Sequence, residues 1–480
     1  MRMNKAIIVK EFTEIVRDGR AIILFGIIGL LLLLGLVTSF SSESTKSQTV
    51  FDARVADTEV FNAQGTKNPH SAAHFSRMAH KPVAPLSAFD PGVSAYVGQV
   101  VWLEGHYRNP AMFRAAEDAT ELSRLENFSL AGVLTLIIPL LVILLGYGSI
   151  AKEREQGTLR QIISSGTSLR GLLLGKFIIV FSISFAFLFF TIVFAAVTSL
   201  SVFEASSQPL TDLFLRSISL LFVYGLYTAF VTATTLFISS LVQEAKNSLL
   251  ILLGLWTVMV VSLPRLSASI AEQVYPSPRS GEFWEAMDVR LSQNRLDSSS
   301  AEYAAAERAV IERAFGKKLT ENEIENLAIN TRGVRLEVSE VIDSEIYTAA
   351  YAELFENYAN QKNFRRLLSI FSPTIALQHL SQAFSGTDVN AHEHFSDEAE
   401  RQRNNIVRVL NEEMIINDGG ENLRYLAPPE FWETVPEFEY EYPTLELAWR
   451  QSGADFFIIL AWALFSMVAM FWLGKGRLEV

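Results

Sequence analysis

The chain has 480 residues, of which 50% are hydrophobic, and its formal net charge is -12. This acidic balance and the lack of a basic face argue against a nucleic-acid partner. The chain contains no cysteine, which excludes disulfides, thiolate chemistry and cysteine-ligated metals. So high a share of clustered hydrophobic residues is typical of a membrane protein rather than of a soluble enzyme.

Residues 1–20 are predicted to form an amphipathic elbow helix before the first membrane span. Ile8, Phe12, Ile15 and Val16 share one helical face, and charged residues occupy the others. Such a helix would lie in the cytoplasmic interface of the membrane. The apolar run that follows is longer than the core of a signal peptide, so we expect the first span to remain uncleaved.

Six apolar, charge-poor stretches are candidates for membrane spans. A helix needs roughly 20 apolar residues to cross a hydrocarbon core of about 30 Å. The predicted spans are residues 21–40, 128–150, 172–200, 213–241, 248–264 and 456–474. The sequence therefore predicts a mainly α, polytopic membrane protein with six transmembrane helices.

Lysine and arginine residues set the expected orientation. They precede the first span, populate residues 151–171, recur at Lys246 and close the chain in residues 475–480. Because short basic loops stay in the cytoplasm, both termini are predicted to be cytoplasmic. Two insertions, residues 41–127 and 265–455, would then lie on the extracytoplasmic side.

The two insertions have different patterns. The first contains five prolines between brief apolar runs, which predicts loops with a few strands or short helices. In the second, apolar residues recur at helical spacing over residues 334–369. The stretch TIALQHLSQAFSG predicts another helix that ends at Gly386, and residues 394–414 predict a third. Four prolines between residues 428 and 443 predict an extended return to the last span. We therefore expect the second insertion to be largely helical.

Ionisable residues are scarce in the predicted spans. None lies near the centre of a span, which gives no support to proton-coupled transport. Arg216 and Asp455 fall near the outer ends of two spans. We expect these two residues to anchor the spans at the membrane interface.

Three histidines of the first insertion invite a metal-site interpretation. They are His70, His74 and His80. The first two have one-turn helical spacing, but prolines flank the group and no acidic ligand follows at helical spacing. The histidine pair at 392 and 394 lacks the H-E-x-x-H geometry of a zinc site. We therefore predict no metal site in this chain.

The sequence gives no indication of an enzyme. A phosphate loop has the pattern G-x-x-x-x-G-K-[ST]. The stretch GLLLGKF at residues 171–177 is one residue too short and has Phe177 where the hydroxyl belongs. We predict no catalytic residues and no cofactor in this chain, so ATP and magnesium would have to bind another polypeptide.

A hydrophilic segment, KEREQGTLRQIISSGTSLRGLLLGK, occupies residues 152–176 between two predicted spans. From Glu153 to Arg160 it predicts a short charged helix, with Gly157 allowing a break and Thr158 capping the next helix. Two interpretations are open. The segment is either a solvated loop whose charges only set the topology or a contact for a cytoplasmic partner.

This segment resembles the cytoplasmic segment of ABC-2 type transporter permeases, in which an E-R-E-x-G-T-L-R-like signature precedes a small-residue turn and a span that opens with L-L-L-G-K. The elbow KEFTEIVRDGRA and the link SSLVQEAKNSLLILLGLW between the fourth and fifth spans are similar to the same family. The stretch SPTIALQHLSQAFSGTDVNAHEHFSDEAERQRNNI resembles the subgroup with a DUF3526-type extracytoplasmic insertion.

The resemblance implies that the charged segment contacts a separate cytoplasmic ATP-binding subunit and transmits its closure to the spans. Charge complementarity would hold it in a cytosolic groove, while Leu159, Ile162 and Ile163 anchor its other side. The residues expected to couple are Glu153, Arg154, Glu155, Gly157, Thr158, Leu159 and Arg160. A second cytoplasmic contact is expected through Gln243, Glu244 and Lys246.

The resemblance also implies a pair of permease subunits, either two copies of this chain or this chain and a related one, in the lipid bilayer of a bacterial inner (cytoplasmic) membrane. Export is expected rather than import. The alternative is a mechanotransmitting subunit that moves its extracytoplasmic domains against an envelope partner without carrying substrate. A continuous cavity would favour transport, and tightly packed spans with rigid helical stalks would favour mechanotransmission. The substrate is not indicated.

Overall fold

A computed structural model describes residues 2–117, 129–202, 209–417 and 425–473. The structure is 75% helical with almost no strands. Within the described residues, six helices are long and apolar enough to cross a membrane. The predicted fold class, a mainly α polytopic membrane protein, is confirmed.

The elbow and the spans come first in the architecture. Helix α1 (Arg2–Arg17) precedes the first span, as predicted. The membrane-spanning helices are α2 (Gly19–Asn62), α4 (Leu130–Gly146), α7 (Leu169–Val202), α8 (Leu210–Leu241), α9 (Ala245–Trp256) with its continuation α10 (Leu263–Val274), and α17 (Leu445–Leu473). A π-helical turn, Thr257–Ser262, joins α9 to α10. Each helix overlaps one predicted span; residue 128, residue 474 and the tail 475–480 lie outside the described residues.

Helix α2 departs from the expectation for the first insertion. It has 44 residues, so at 1.5 Å per residue it is about 66 Å long, roughly twice the thickness of the hydrocarbon core. Residues 41–62 are therefore helix rather than loop. The hydroxyls of Thr38, Thr45 and Thr49 donate to carbonyls one turn earlier, so these polar residues are accommodated without ending the helix.

The rest of the first insertion has the predicted character of loops with short elements. It contains helix α3 (Pro69–Ala73) and a two-stranded antiparallel sheet of β1 (Met78–His80) and β2 (Val100–Trp102), in which Ala79 pairs with Val101. The predicted loops between residues 118 and 127 lie outside the described residues.

The second insertion is helical, as predicted. Its helices are α11 (Ser280–Gln293), α12 (Ala301–Ala314), α13 (Glu321–Glu325), α14 (Thr331–Leu368), α15 (Pro373–Ser385) and α16 (Val389–Asn417). Gly386 ends α15 in the left-handed conformation, with a φ of 74°, which confirms the predicted stop. The return to α17 includes one short 3-10 turn, Pro429–Thr434, and is otherwise without helix or strand.

The two insertions form one outer domain. A single buried apolar cluster contains Phe61 from the end of α2, Ala79 from β1, Leu410 from α16 and Trp432 from the 3-10 turn. Arg77, only 2% exposed, donates to Asn62 Oδ1 at 3.1 Å and so ties the end of α2 to this domain. No pattern in the sequence indicated that the two insertions share a core.

Helix α15 joins the outer domain to the spans. Its Leu377, Leu380 and Phe384 lie in the same buried cluster as residues of the spans. Its Ser381 accepts a hydrogen bond of 3.0 Å from the hydroxyl of Tyr224 on α8. This helix therefore packs directly against α8 and α17.

The expectation that Arg216 and Asp455 anchor the spans at the interface is wrong. Arg216 is 1% exposed, pairs with Asp212 and donates to Phe384 O at 3.1 Å and to Pro443 O, so it satisfies carbonyls at the end of α15. Asp455 is fully buried between Arg366 Nε at 2.9 Å and His379 Nδ1 at 3.0 Å.

We call the contacts of Arg216, together with those of Asp455, the outer joint. They are buried because α15 packs against α8 and α17, and Arg366 near the end of α14 reaches Asp455. The sequence alone suggested lipid headgroups and water at these positions.

Candidate coupling site

The charged segment folds as two short helices after the C-terminal end of α4. This is the end that the sequence predicts to be cytoplasmic. Helix α5 is Ala151–Glu155 and helix α6 is Thr158–Ser164. Gly157 stands between them with a φ of 74°, a left-handed conformation that favours glycine. The predicted break at Gly157 is confirmed.

Thr158 does not cap the second helix as predicted. Gly157 holds the N-cap position, and Thr158 is the first helical residue. The hydroxyl of Thr158 instead donates to the carbonyl of Glu153 at 3.1 Å, which fastens α6 to the preceding helix. The reason is the left-handed turn at Gly157, which starts the helix one residue earlier than the pattern indicated.

Glu153 lies in a partly buried group of four charges that we call the charge cluster. Its Oε1 accepts from Lys176 Nζ at 3.0 Å and from Lys10 Nζ at 3.4 Å. Lys176 also donates to Glu11 Oε1 at 2.7 Å. The side chain of Lys176 is only 3% exposed, so it needs the two carboxylates to offset the loss of water. The cluster connects α1, α5 and α7.

Arg154 connects α5 to the end of the fourth span. Its Nη2 donates to Ser240 O at 2.9 Å and its Nη1 to Val242 O at 2.5 Å. These are C-terminal carbonyls of α8, where a cation is favoured by the helix dipole. In return, Ser239 Oγ on α8 accepts from the backbone N–H groups of Ile150 and Ala151 at 3.0 and 3.2 Å. Ser239 thus supplies the cap that the start of α5 lacks in its own sequence.

Glu155 connects α5 to the start of the fifth span. Its Oε2 accepts from the backbone N–H of Ala245, the first residue of α9, at 3.2 Å. A carboxylate at a helix N-terminus is favoured by the helix dipole. The contact also places the link Gln243–Lys246 beside α5, so the two predicted cytoplasmic contacts are neighbours. Lys246 is exposed and pairs with Glu244 at 3.0 Å.

The apolar side of the segment packs inward. Leu159 is 2% exposed in a cluster with Ile7 of α1, Leu173 of α7 and Leu236 of α8. Ile162 and Ile163 pack against the same cluster, as the sequence suggested.

The outward surface of the segment is polar. The exposed residues of α5, the turn and α6 are Lys152, Glu155, Gln156, Gly157, Arg160, Gln161 and Ser164. We call Lys152, Gln156, Arg160 and Gln161 the docking face. Gln243 and Lys246 extend the exposed polar surface on the neighbouring link. Glu153 and Arg154 are only partly exposed, and both bind within the chain.

Sequence reasoning missed four residues of this site: Lys10, Glu11, Lys176 and Ser239. Lys176 carried a usable signal, because a lysine inside a long apolar run requires a carboxylate partner. The partner Glu11 lies 165 positions away and could not be found from spacing.

The fold and this site define a polytopic helical membrane protein in which a pair of short helices is fastened to an elbow helix and three spans. A family model described as ABC-2 family transporter protein matches residues 5–473. The chain therefore belongs to the ABC-2 family of transporter proteins. None of the curated proteins searched matches this chain.

Membership defines the broad role. The chain is a multi-pass membrane permease subunit of an ABC transporter, a family in which ATP hydrolysis belongs to a partner ATP-binding subunit. The narrower likeness to the subgroup with a DUF3526-type insertion stays a prediction.

Proposed function

We propose that this permease is an exporter subunit that receives ATP-driven movement through α5 and α6. The observation that carries the proposal is the set of contacts made by three consecutive residues. Glu153 binds α1 and α7, Arg154 binds the end of α8, and Glu155 binds the start of α9. A displacement of one five-residue helix would therefore act on the elbow and three spans together.

Contact with the ATP-binding subunit and transmission of its movement are assigned to different residues of the segment. The docking face would contact the ATP-binding subunit, helped by the exposed Gln243 and Lys246. Glu153, Arg154 and Glu155 would instead transmit the movement, because their contacts link α5 to α1, α7, α8 and α9. The break at Gly157 allows α5 and α6 to change their relative angle.

Export is supported by a cavity of about 1320 Å³ near the outer ends of the spans. Its lining includes Ser41 and Thr45 of α2, Thr135 of α4, Val260 of the π-helical turn and Gln382 of α15. This mixture of hydroxyl, amide and apolar groups suits an amphipathic cargo. π-helical turns are frequent at functional sites, and this one borders the cavity.

The remaining parts of the assembly follow from the family. A second permease subunit, either another copy or a related chain, would complete the pathway, and ATP and magnesium would bind the partner ATPase. We infer from the basic segments that both termini lie in the cytoplasm. The family resemblance implies a bacterial inner membrane, with the outer domain on its far side.

A second candidate function has its own structural support. The long helix α2 runs without interruption from the elbow to the core of the outer domain, where Phe61 and the neighbouring Arg77 contact fix its end. Such a stalk is suited to mechanotransmission, in which movement of the outer domain acts on an envelope partner and no cargo crosses the membrane.

The docking assignment can be tested by charge reversal. We expect Lys152→Glu combined with Arg160→Glu to abolish co-purification of the ATP-binding subunit. The matched control is Arg17→Glu, an exposed change on the elbow helix that should leave the complex intact. Glu153→Gln should keep the complex but lower permease-dependent ATP hydrolysis by about tenfold. Retention of the complex by the Lys152→Glu/Arg160→Glu variant would contradict the assignment.

The two functions can be separated by labelling, because the native chain has no cysteine. A single Thr135→Cys substitution reports on the cavity. A single Glu430→Cys substitution, at an exposed position of the 3-10 turn, reports on the outer domain. An exporter predicts that nucleotide trapping changes thiol reactivity at Thr135→Cys. Mechanotransmission predicts constant reactivity there, with a changed position of a probe on Glu430→Cys.

A further inference from the structure

Three histidines of the first insertion meet in the folded chain. They are His70, His74 and His106. Their ligand nitrogens lie within 4.8 Å of one another, and their ring centroids are 4.9, 5.2 and 5.4 Å apart. We call this group the histidine cluster. His80, which the sequence placed with the first two, is not a member.

Local sequence fixes the first two rings. Asn68 caps α3 by accepting from the N–H groups of His70 and Ser71, and Pro69 occupies the first helical position. His70 and His74 are one turn apart, so their rings project from the same side of this short helix. Ala72 and Ala73 are buried in the core of the outer domain, which holds the helix in place.

The third ring is brought in by a close approach of backbone. The N–H of Gly105 donates to Ala73 O at 2.9 Å, and a Cβ at position 105 would lie 3.2 Å from the Cβ of Ala73. His106 follows with a φ of 80°, a left-handed conformation that is uncommon for residues other than glycine. Its carbonyl accepts from the hydroxyl of Tyr347 at 2.9 Å. A strained backbone held by surrounding contacts is common at ligand sites.

The rings of His70 and His106 are half-buried, and the ring of His74 is exposed. Among the described residues, no hydrogen bond or ion pair occupies an imidazole nitrogen of the three rings. Charges of both signs influence the rings electrostatically. The positive charge of Arg332 influences His70, and the negative charges of Glu104 and Glu340 influence His106.

We propose that His70, His74 and His106 bind a divalent transition-metal ion of the zinc, copper or nickel group through three imidazole nitrogens. Imidazole is the ligand that these ions share. Tetrahedral coordination at about 2.0–2.1 Å places ligand nitrogens about 3.3 Å apart, so each ring would move inward by roughly 1 Å. His74 is exposed, which leaves a fourth position open to water or to a group of a partner.

The ion would fasten α3 to the loop after β2. This loop is already tied to the helices of the second insertion, because Arg108 donates to Asp397 Oδ1 at 2.7 Å and Tyr347 donates to His106 O. The metal would therefore cross-link the segment that follows the long helix α2. This inference is independent of the export proposal and replaces the sequence-based expectation of no metal site.

The test uses the full-length protein in detergent, purified through a tag without histidine. Zinc binding is measured by competition with a chromogenic chelator, and nickel and copper are compared in the same assay. We expect one zinc ion per chain and a rise of the unfolding temperature with zinc. His106→Asn, which tolerates the left-handed backbone, and His74→Gln should each weaken zinc binding at least tenfold. The matched control, His80→Gln, should bind as the wild type does.

Two results would overturn the proposal. One is a wild-type protein that takes up no more zinc than the His74→Gln variant. The other is undiminished binding by His106→Asn in a sample whose elution and unfolding show that it is folded. The two variants are chosen so that at least one should fold. His74→Gln changes an exposed side chain, and His106→Asn keeps a residue that tolerates the left-handed turn. The test therefore remains decisive even if one of them misfolds.

Discussion

The spans are fixed by buried charges at both ends, but the two ends are built differently. At the outer joint, Arg216 and Asp455 are 1% and 0% exposed and connect long helices. At the opposite end, which we call the inner end, the charge cluster belongs partly to α5, a five-residue helix followed by the left-handed Gly157. The outer end therefore resembles a fixed joint, and the inner end is suited to be displaced by a partner.

This difference predicts where substitutions act. Changes at the outer joint should mainly lower stability, because they leave buried charges without partners. Changes at the inner end should mainly lower coupling to the ATPase, because the short helices there have less buried structure to lose.

The largest effect is expected for Arg216→Ala. It leaves Asp212 and the carbonyl of Phe384 without their buried partner, and breaking such a pair costs about 3–5 kcal/mol. The measurement is the free energy of unfolding in detergent. Arg450→Ala is the control, because the Arg450–Glu446 pair has the same spacing but is largely exposed and should contribute little. Equal losses for both variants would contradict a buried outer joint.

A pH-dependent effect is expected for His392 in the outer domain. Burial lowers its pKa to about 3, and it packs against Phe355 and Phe395. Because the unfolded chain takes up a proton near pH 6.5 and the folded chain does not, stability is fully present above pH 6.5 and falls as the pH drops toward 3.

The His392 contribution should reach roughly 2 kcal/mol at pH 5, since each pH unit of difference corresponds to about 1.4 kcal/mol. Unfolding measured against pH should therefore show a smaller acid loss for His392→Phe than for the wild type. If the free energies of unfolding of the two proteins changed with pH in parallel, His392 would be accessible to water in the folded chain.

At the inner end, Gly157→Ala should cost about 1–2 kcal/mol of stability. The reason is backbone conformation alone, since no atom lies within 4 Å of the added methyl group and the φ is 74°. Gly254→Ala in α9 is the matched control, with equal free space and no unusual φ, and should be neutral or slightly stabilising. ATP hydrolysis coupled to the permease should fall for Gly157→Ala and stay unchanged for Gly254→Ala.

The smallest effect on stability is expected for Glu155→Gln. The amide oxygen can still accept from Ala245 N–H, so only the favourable charge at the start of α9 is lost, about 0.3–1 kcal/mol. Complex formation and ATPase stimulation should remain close to wild type. A complete loss of the complex would show that Glu155 contacts the partner directly. Glu155 would then belong to the docking residues rather than to the transmitting residues.

The sequence by itself determined the spans, the elbow, the helical second insertion and the family resemblance. These depend on local properties: the length of an apolar run, the spacing of apolar residues along a helix, and breakers such as Gly157 and Gly386. The charged segment was located for the same reason, because a hydrophilic stretch between two apolar runs is visible without any knowledge of packing.

The tertiary structure alone decided which side chains meet. Lys176 and Glu11 are 165 positions apart, His74 and His106 belong to different elements, and Arg216 satisfies carbonyls of a helix far along the chain. Spacing along the chain does not show such pairs, since they form only when separate elements pack and exclude water. The same packing placed Glu153 and Arg154 in contacts within the chain and left Lys152, Gln156 and Gln161 exposed.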